Sequence, residues 1–164
     1  MELDLKDIIE AQQILDKVVH QRHNVTYSKI IEELKLALFV ELGELANEVR
    51  SFKFWSIKNA SEKKVILEEY VDGIHFIGSL SIAHDIKPKF ILNDTISILN
   101  KKDLTIAFNR LFKSMEVLNT SSGIKEWFTN YLLLGYQLGF TYDEIHQAYF
   151  EKNQINFKRQ EENY

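Results

Sequence analysis

The sequence predicts an all-α fold, a helical bundle, and three observations lead there. Helix breakers are scarce, with one proline and six glycines in 164 residues. Apolar residues recur at three- and four-residue spacing along almost the whole chain, and no segment shows the strict alternation of a half-buried strand. Hydrophobic residues make up 45% of the chain and aromatic residues 12%, a composition that supports a packed core. At this length one domain is expected, residues 1–164.

The elements follow in order. A first helix is expected from Asp4 or Asp7 to about Arg22. A second, with Ser28 as candidate cap, runs to about Phe52, where the segment Phe52 to Ser56 ends it. Ser61 is placed to cap a third that reaches about Ala83, and Pro88 marks a loop. Residues 91–100 and 104–118 look like shorter helices, separated by Lys101, Lys102 and Asp103. The run Asn119 to Gly123 is the clearest linker. A helix from about Ile124 to Leu138 ends at Gly139. Thr141 and Glu144 then form a capping-box pattern that opens a last helix to about Phe157, followed by a polar tail from Arg159 to Tyr164.

Composition excludes several classes of function. A net charge of −4 and a pI near 5.8 argue against a nucleic-acid or membrane-surface binder, which needs a basic face. The absence of cysteine removes disulfides and thiolate metal sites. The acidic stretch MELDLKDIIE lacks a signal-peptide pattern, and no apolar run approaches the ~18–20 residues of a membrane span. A cytoplasmic protein is the expectation.

The most informative pattern is two pairs of carboxylates, Glu41 with Glu44 and Glu69 with Asp72. Each pair has i,i+3 spacing, so its members share one helix face. Around the wheel Glu69 falls among Val65, Phe76 and Leu80, the apolar stripe of its helix. Glu41, Glu44 and Glu48 line the edge of the stripe made by Leu34, Leu38, Leu42, Leu45, Val49 and Phe52. Both acid clusters therefore point to the core or its rim, where a lone carboxylate is costly. Four converging acids repel one another, and a hard divalent cation, Mg²⁺ above all, relieves that repulsion. Mg²⁺ held there would polarise a phosphoryl oxygen and activate water. Glu41 or Glu48 is the candidate to orient or deprotonate that water, and the sequence leaves the choice open.

A second cluster comprises Lys152, Asn153, Asn156 and Arg159, of which Lys152, Asn156 and Arg159 share one helical face. Lys and Arg supply donors for phosphate oxygens. Phe52, Phe54 and Trp55, with Lys53, follow the first acid pair and could form a wall for a nucleobase. Gln13 and Asp16 are an i,i+3 polar pair able to read a base edge, and His75 lies one turn past Asp72. Asp72-x-x-His75 and Asp143-x-x-His146 also loosely echo the paired acid-x-x-His of di-iron bundles, with Asp in place of Glu.

The pattern ELGE at Glu41–Glu44, followed by EYVD at Glu69–Asp72, resembles the ExxE…ExxD motif of the all-α nucleoside triphosphate pyrophosphohydrolases. The longer strings ELGELANEVRSFKFWS, LEEYVDGIHF and AYFEKNQINFKRQ are similar to the dimeric dUTPase branch. That resemblance implies Mg²⁺ bound by Glu41, Glu44, Glu69 and Asp72. It implies hydrolysis of dUTP to dUMP and pyrophosphate, and of dUDP to dUMP, by direct water attack on phosphorus. Lys152, Asn156 and Arg159 match phosphate-binding positions, and Gln13, Asp16, Trp55 and His75 match positions around base and deoxyribose. A homodimer is implied, as is, by likeness to phage members, a bacterial repressor as possible partner. Residues 86–122, where the resemblance is weakest, are the place to look for such a surface. The chain departs from the branch at Val49 and Ser51, and some relatives carry Asn at the position of Asp16. An ionised Asp only accepts hydrogen bonds, which suits N3–H of uracil and also the amine of cytosine. Alternatives are therefore a related enzyme acting on dCTP or other triphosphates, and a helical regulatory protein.

Overall fold

The computed structural model describes residues 1–92 and 96–162. Six α-helices lie among them: α1 Lys6–His23, α2 Tyr27–Val49, α3 Lys63–Ala83, α4 Lys101–Lys113, α5 Ser121–Gln137 and α6 Tyr142–Glu161. A 3-10 segment, Ser114–Asn119, links α4 to α5. The all-α expectation holds, with one addition. Strands β1 Glu2–Asp4 and β2 Lys89–Ile91 pair antiparallel, with Leu3 opposite Phe90. Each contributes a single inward residue, both buried, so no alternation of useful length exists for the sequence to display.

Several boundaries move for local reasons. α2 stops at Val49 because Arg50 adopts the left-handed conformation, φ 59°, and its guanidinium bonds Ser56 Oγ at 2.8 Å. The segment around Phe52 to Ser56 is therefore a turn and not helix. Thr26, not Ser28, occupies the cap position of α2, and Glu62 precedes α3, whose expected cap Ser61 instead donates to Glu48. The helix expected over 91–100 is corrected: 89–91 is strand, 96–100 is irregular, and 93–95 lie outside the described residues. The expected linker 119–123 is shorter, since Thr120 caps α5 by accepting from Gly123 N–H at 3.1 Å. The capping box of α6 forms as expected from Thr141 and Glu144. That helix continues to Glu161, so the polar tail is largely helical, and positions 163–164 are outside the described residues.

α3 is the inner helix. It packs against α1, α2, α5 and α6 and is buried almost all round beyond its first two turns, as an apolar helix enclosed by others must be. Its contact with α5 centres on Tyr70 and Tyr131. Their rings stack 4.8 Å apart, and each hydroxyl donates to the other residue's backbone carbonyl, at 3.2 and 2.9 Å. Gly73 and Gly135 leave the space for those hydroxyls, since a Cβ at either would overlap the facing tyrosine. Tyr131 also stacks on Trp127, so it has no room to retreat. Gly73→Ala is expected to destabilise the protein by roughly 1–3 kcal/mol, outweighing the ~1 kcal/mol helix-propensity gain. A urea midpoint unchanged or raised in that variant would show that the two helices pack otherwise.

Candidate active site

The helices around α3 enclose a cavity of about 380 Å³. α1 lends it Gln12 and Asp16, α2 Glu41, α3 Asp72, His75 and Ser79, and α6 Asn156 and Arg159. Acids, polar groups and a guanidinium therefore face one space.

At one end lies the acid cluster. Carboxylate oxygens from Glu41, Glu69 and Asp72 all sit within 4.8 Å of one another. Glu41 comes from α2 and the other two from consecutive positions on one face of α3, so the α2–α3 contact brings them together. Burial, then Asp72, Glu44 and Glu69, push the Glu41 carboxyl up to about 7. Burial first, and neighbouring acids second, also raise Glu69. Asp72 is raised by burial but pulled back by Lys152, whose ammonium donates to Asp72 Oδ2 at 2.7 Å and lies 3.4 Å from Glu68 Oε1. The all-oxygen donor set and the resisted ionisation fit a hard divalent cation. Glu44 is exposed and outside the tight trio, although its charge reaches Glu41 and Glu69. Glu48 accepts from Ser61 Oγ.

At the other end lies a buried polar network. Asp16 Oδ1 accepts from Gln12 Nε2 at 2.8 Å and Ser79 Oγ at 2.9 Å, and its Oδ2 accepts from Tyr27 at 2.7 Å. Burial raises the Asp16 carboxyl, and those three hydrogen bonds partly restore it. Gln12 Oε1 faces His75 Nδ1 at 2.7 Å and accepts from the Tyr149 hydroxyl at 2.8 Å. The imidazole stacks on Tyr149, ring centroids 4.4 Å apart. Burial, with Lys152 assisting, drives its pKa down to about 3, so His75 is neutral.

Not every expected residue comes to this cavity. Gln13 is exposed and lines a different depression with Ile14 and Lys17. Its neighbour Gln12 takes the inward position and bonds Asp16, so the pair Gln13–Asp16 is corrected to Gln12–Asp16. The signal was present: Ile8, Gln12 and Leu15 form the buried stripe of α1, whereas i,i+3 spacing to Asp16 pointed to Gln13. Trp55 and Phe54 are 64% and 92% exposed, and neither they nor Lys53 line the cavity of their own chain. Lys53 bonds Asn47 instead. Asn153 is buried, and Asn156 and Arg159 lie 3.4 Å apart on α6. The di-iron reading fails, because His146 sits 4.0 Å from Asp7 and Asp143 is exposed, away from the acid trio. Ser79, Tyr27 and Tyr149 were not anticipated, since a lone hydroxyl at helical spacing carries no pattern.

A family model described as dUTPase matches residues 4–164. No curated protein matches the chain.

The raised carboxyls make stability depend on pH. In the folded chain Glu41 keeps its proton up to about pH 7, whereas its ordinary value is 4.5. Between those values the folded state binds more protons than the unfolded one, so this group's contribution to stability falls as pH rises through the window. Thermal melts in the presence of a chelator are expected to show Glu41→Gln with a flatter decline between pH 4.5 and 7 than the parent protein. Identical slopes would place the Glu41 carboxyl in an ordinary environment.

Proposed function

The chain belongs to the dUTPase family, and we propose that its hydrolysis of dUTP takes place in the cavity that joins the acid cluster to the buried polar network. The enzyme is a dUTP diphosphatase, a hydrolase of nucleotide metabolism. The observation that carries the proposal is the continuity of the cavity. Glu41 and Asp72 line it together with Gln12, Asp16, His75 and Ser79, so one ligand can engage acids and a hydrogen-bonding pocket at once.

In this reading Glu41, Glu69 and Asp72, joined by Glu44 on rotation of its exposed side chain, hold Mg²⁺. The ion, when bound, supplies charge neutralisation and Lewis acidity at the triphosphate. Lys152 leaves Asp72 for phosphate oxygens, where Arg159 and Asn156 join it. Water attacks phosphorus and the phosphoanhydride oxygen leaves, so that dUTP and water give dUMP and pyrophosphate; the same step on dUDP gives dUMP and phosphate. Glu41, which lines the cavity beside Asp72, is placed to accept the proton of that water. Glu48, tied to Ser61, is the weaker candidate. The nucleoside lies toward Gln12, Asp16 and Ser79.

Two assembly proposals accompany this. Phe52, Phe54, Trp55 and Ile57 are exposed together just past the acids of α2, which supports a homodimer that covers them and brings Trp55 and Lys53 to a substrate. Among the described residues, none from 86 to 122 lines the cavity, which leaves that stretch available to a regulatory partner such as a repressor. A single domain over residues 1–164 and a cytoplasmic location complete the reading. Among the described residues no helix is long and apolar enough to cross a membrane.

The test is pyrophosphate release from dUTP, dCTP and dTTP, with Mg²⁺ and with EDTA. Metal-dependent release from dUTP, lost by roughly 100-fold or more in Glu69→Gln and Asp72→Asn, is expected. Preference for dCTP, or near-normal turnover in either folded variant, would overturn the assignment. Lys152→Ala is expected to raise KM for dUTP, with a fall in Tm from the lost counter-charge to Asp72, and a fall in Tm with KM unchanged would make Lys152 structural.

A further inference from the structure

The last turns of α1 and α6 meet beside the cavity, which His20, Arg159 and Gln160 help to line. The two helices end differently. α1 is closed on itself: Asn24 adopts the left-handed conformation, φ 53°, and its N–H and that of Val25 both bond the His20 carbonyl. The His20 ring also packs edge-on against Tyr27, centroids 4.4 Å apart, which ties this turn to α2. Among the described residues α6 ends without that closure, at Glu162 with φ −85° and ψ 9°. Gln160 is one of its last four residues, whose carbonyls helix geometry leaves without intrahelical partners.

Two side chains from the closed end of α1 reach Gln160. The Arg22 guanidinium donates to its backbone carbonyl. His23 Nε2 lies 3.2 Å from its Oε1, and an amide oxygen only accepts, so the imidazole donates. A charge-assisted bond to a carbonyl at a helix end serves as a cap, here supplied by a neighbouring helix. What the capped turn carries gives the contact its consequence. Of the three side chains assigned to phosphate, Lys152 and Asn156 stand on inner turns of α6 and Arg159 on the last. Helix ends fray first, so a donor placed there is held only as well as its turn.

We infer that Arg22 is a positioning residue for the reaction: it caps α6 from α1, with His23 as a second strut, and so holds Arg159 toward the phosphates of the substrate. Arg22 does not line the cavity, so its effect passes through Arg159. The inference rests on the cavity being the nucleotide site.

The experiment is a double-mutant cycle on kcat/KM for dUTP with Arg22→Ala and Arg159→Ala, joined by Arg22→Lys. Arg22→Ala is expected to lower kcat/KM by roughly 3- to 10-fold, mainly through KM. Arg22→Lys, which keeps a charged donor, should regain most of that loss. In the Arg159→Ala background, adding Arg22→Ala is expected to change kcat/KM by less than about twofold. A guanidinium acting through its charge alone, or a merely structural one, would lower activity equally in both backgrounds and overturn the inference. Parental kinetics in Arg22→Ala would overturn it as well. Hydrogen exchange gives a readout that needs no substrate: amides of residues 158–161 are expected to exchange faster in Arg22→Ala, and unchanged protection there would refute the cap. Should Arg22→Ala fail to fold, Arg22→Gln takes its place in the same cycle and exchange measurement, with the same outcomes deciding. Parent turnover of dUTP that Arg159→Ala leaves intact would refute the inference alone, whereas absence of dUTP turnover in the parent would refute the site assignment beneath it.

Discussion

The half-buried convergence of three carboxylates is the constraint on which the rest of this molecule turns. Glu41, Glu69 and Asp72 bring oxygens within 4.8 Å of one another, at a cost set by desolvation and mutual repulsion. The structure meets that cost in two ways. Ionisation is resisted, burial raising the carboxyls of Glu41, Glu69 and Asp72 above their ordinary values. Lys152, only 11% exposed, supplies a counter-charge to Asp72 and Glu68. A divalent cation answers the same demand with one charge centre, which is why the cluster points to metal-assisted phosphate chemistry.

α3 turns that local chemistry into a site of defined polarity. Successive turns of one inner helix present an acid, a neutral imidazole and a hydroxyl to the same cavity. The helix is fixed by two neighbours: by α2, which completes the acid cluster, and by α5 through the reciprocal Tyr70–Tyr131 hydrogen bonds. α1 and α6 then close the other end through Gln12, Asp16 and Tyr149. Spacing between the acid cluster and the polar network is thereby set by helix rise and not by loops.

Much of this was legible in the sequence, and the misses have physical causes. Helices show through apolar periodicity, and Glu69 stood out because an acid in an apolar stripe needs a reason. Thr141 and Glu144 announced the start of α6. The i,i+3 spacing to Asp16 points to Gln13, whereas the apolar stripe of Ile8 and Leu15 carries Gln12 inward, a polar residue in an apolar stripe as Glu69 is. Strands of three residues are too short to carry a period. The left-handed turn at Arg50, which ends α2 short of Phe52, rests on hydrogen bonds to Ser56 and Lys58 that spacing does not reveal. Tyr27 and Tyr149 reach the network from other helices, and such convergence is a property of packing alone.

The account stands or falls on whether the acid trio and the nucleoside pocket serve one ligand. The most direct measurement is calorimetric binding of a non-hydrolysable dUTP analogue, with and without Mg²⁺, to the parent enzyme and to Glu69→Gln. The account predicts that Mg²⁺ tightens binding by roughly tenfold or more in the parent and that this gain disappears in the variant. An equal gain in both proteins would mean that the cation acts elsewhere and would contradict the site described here.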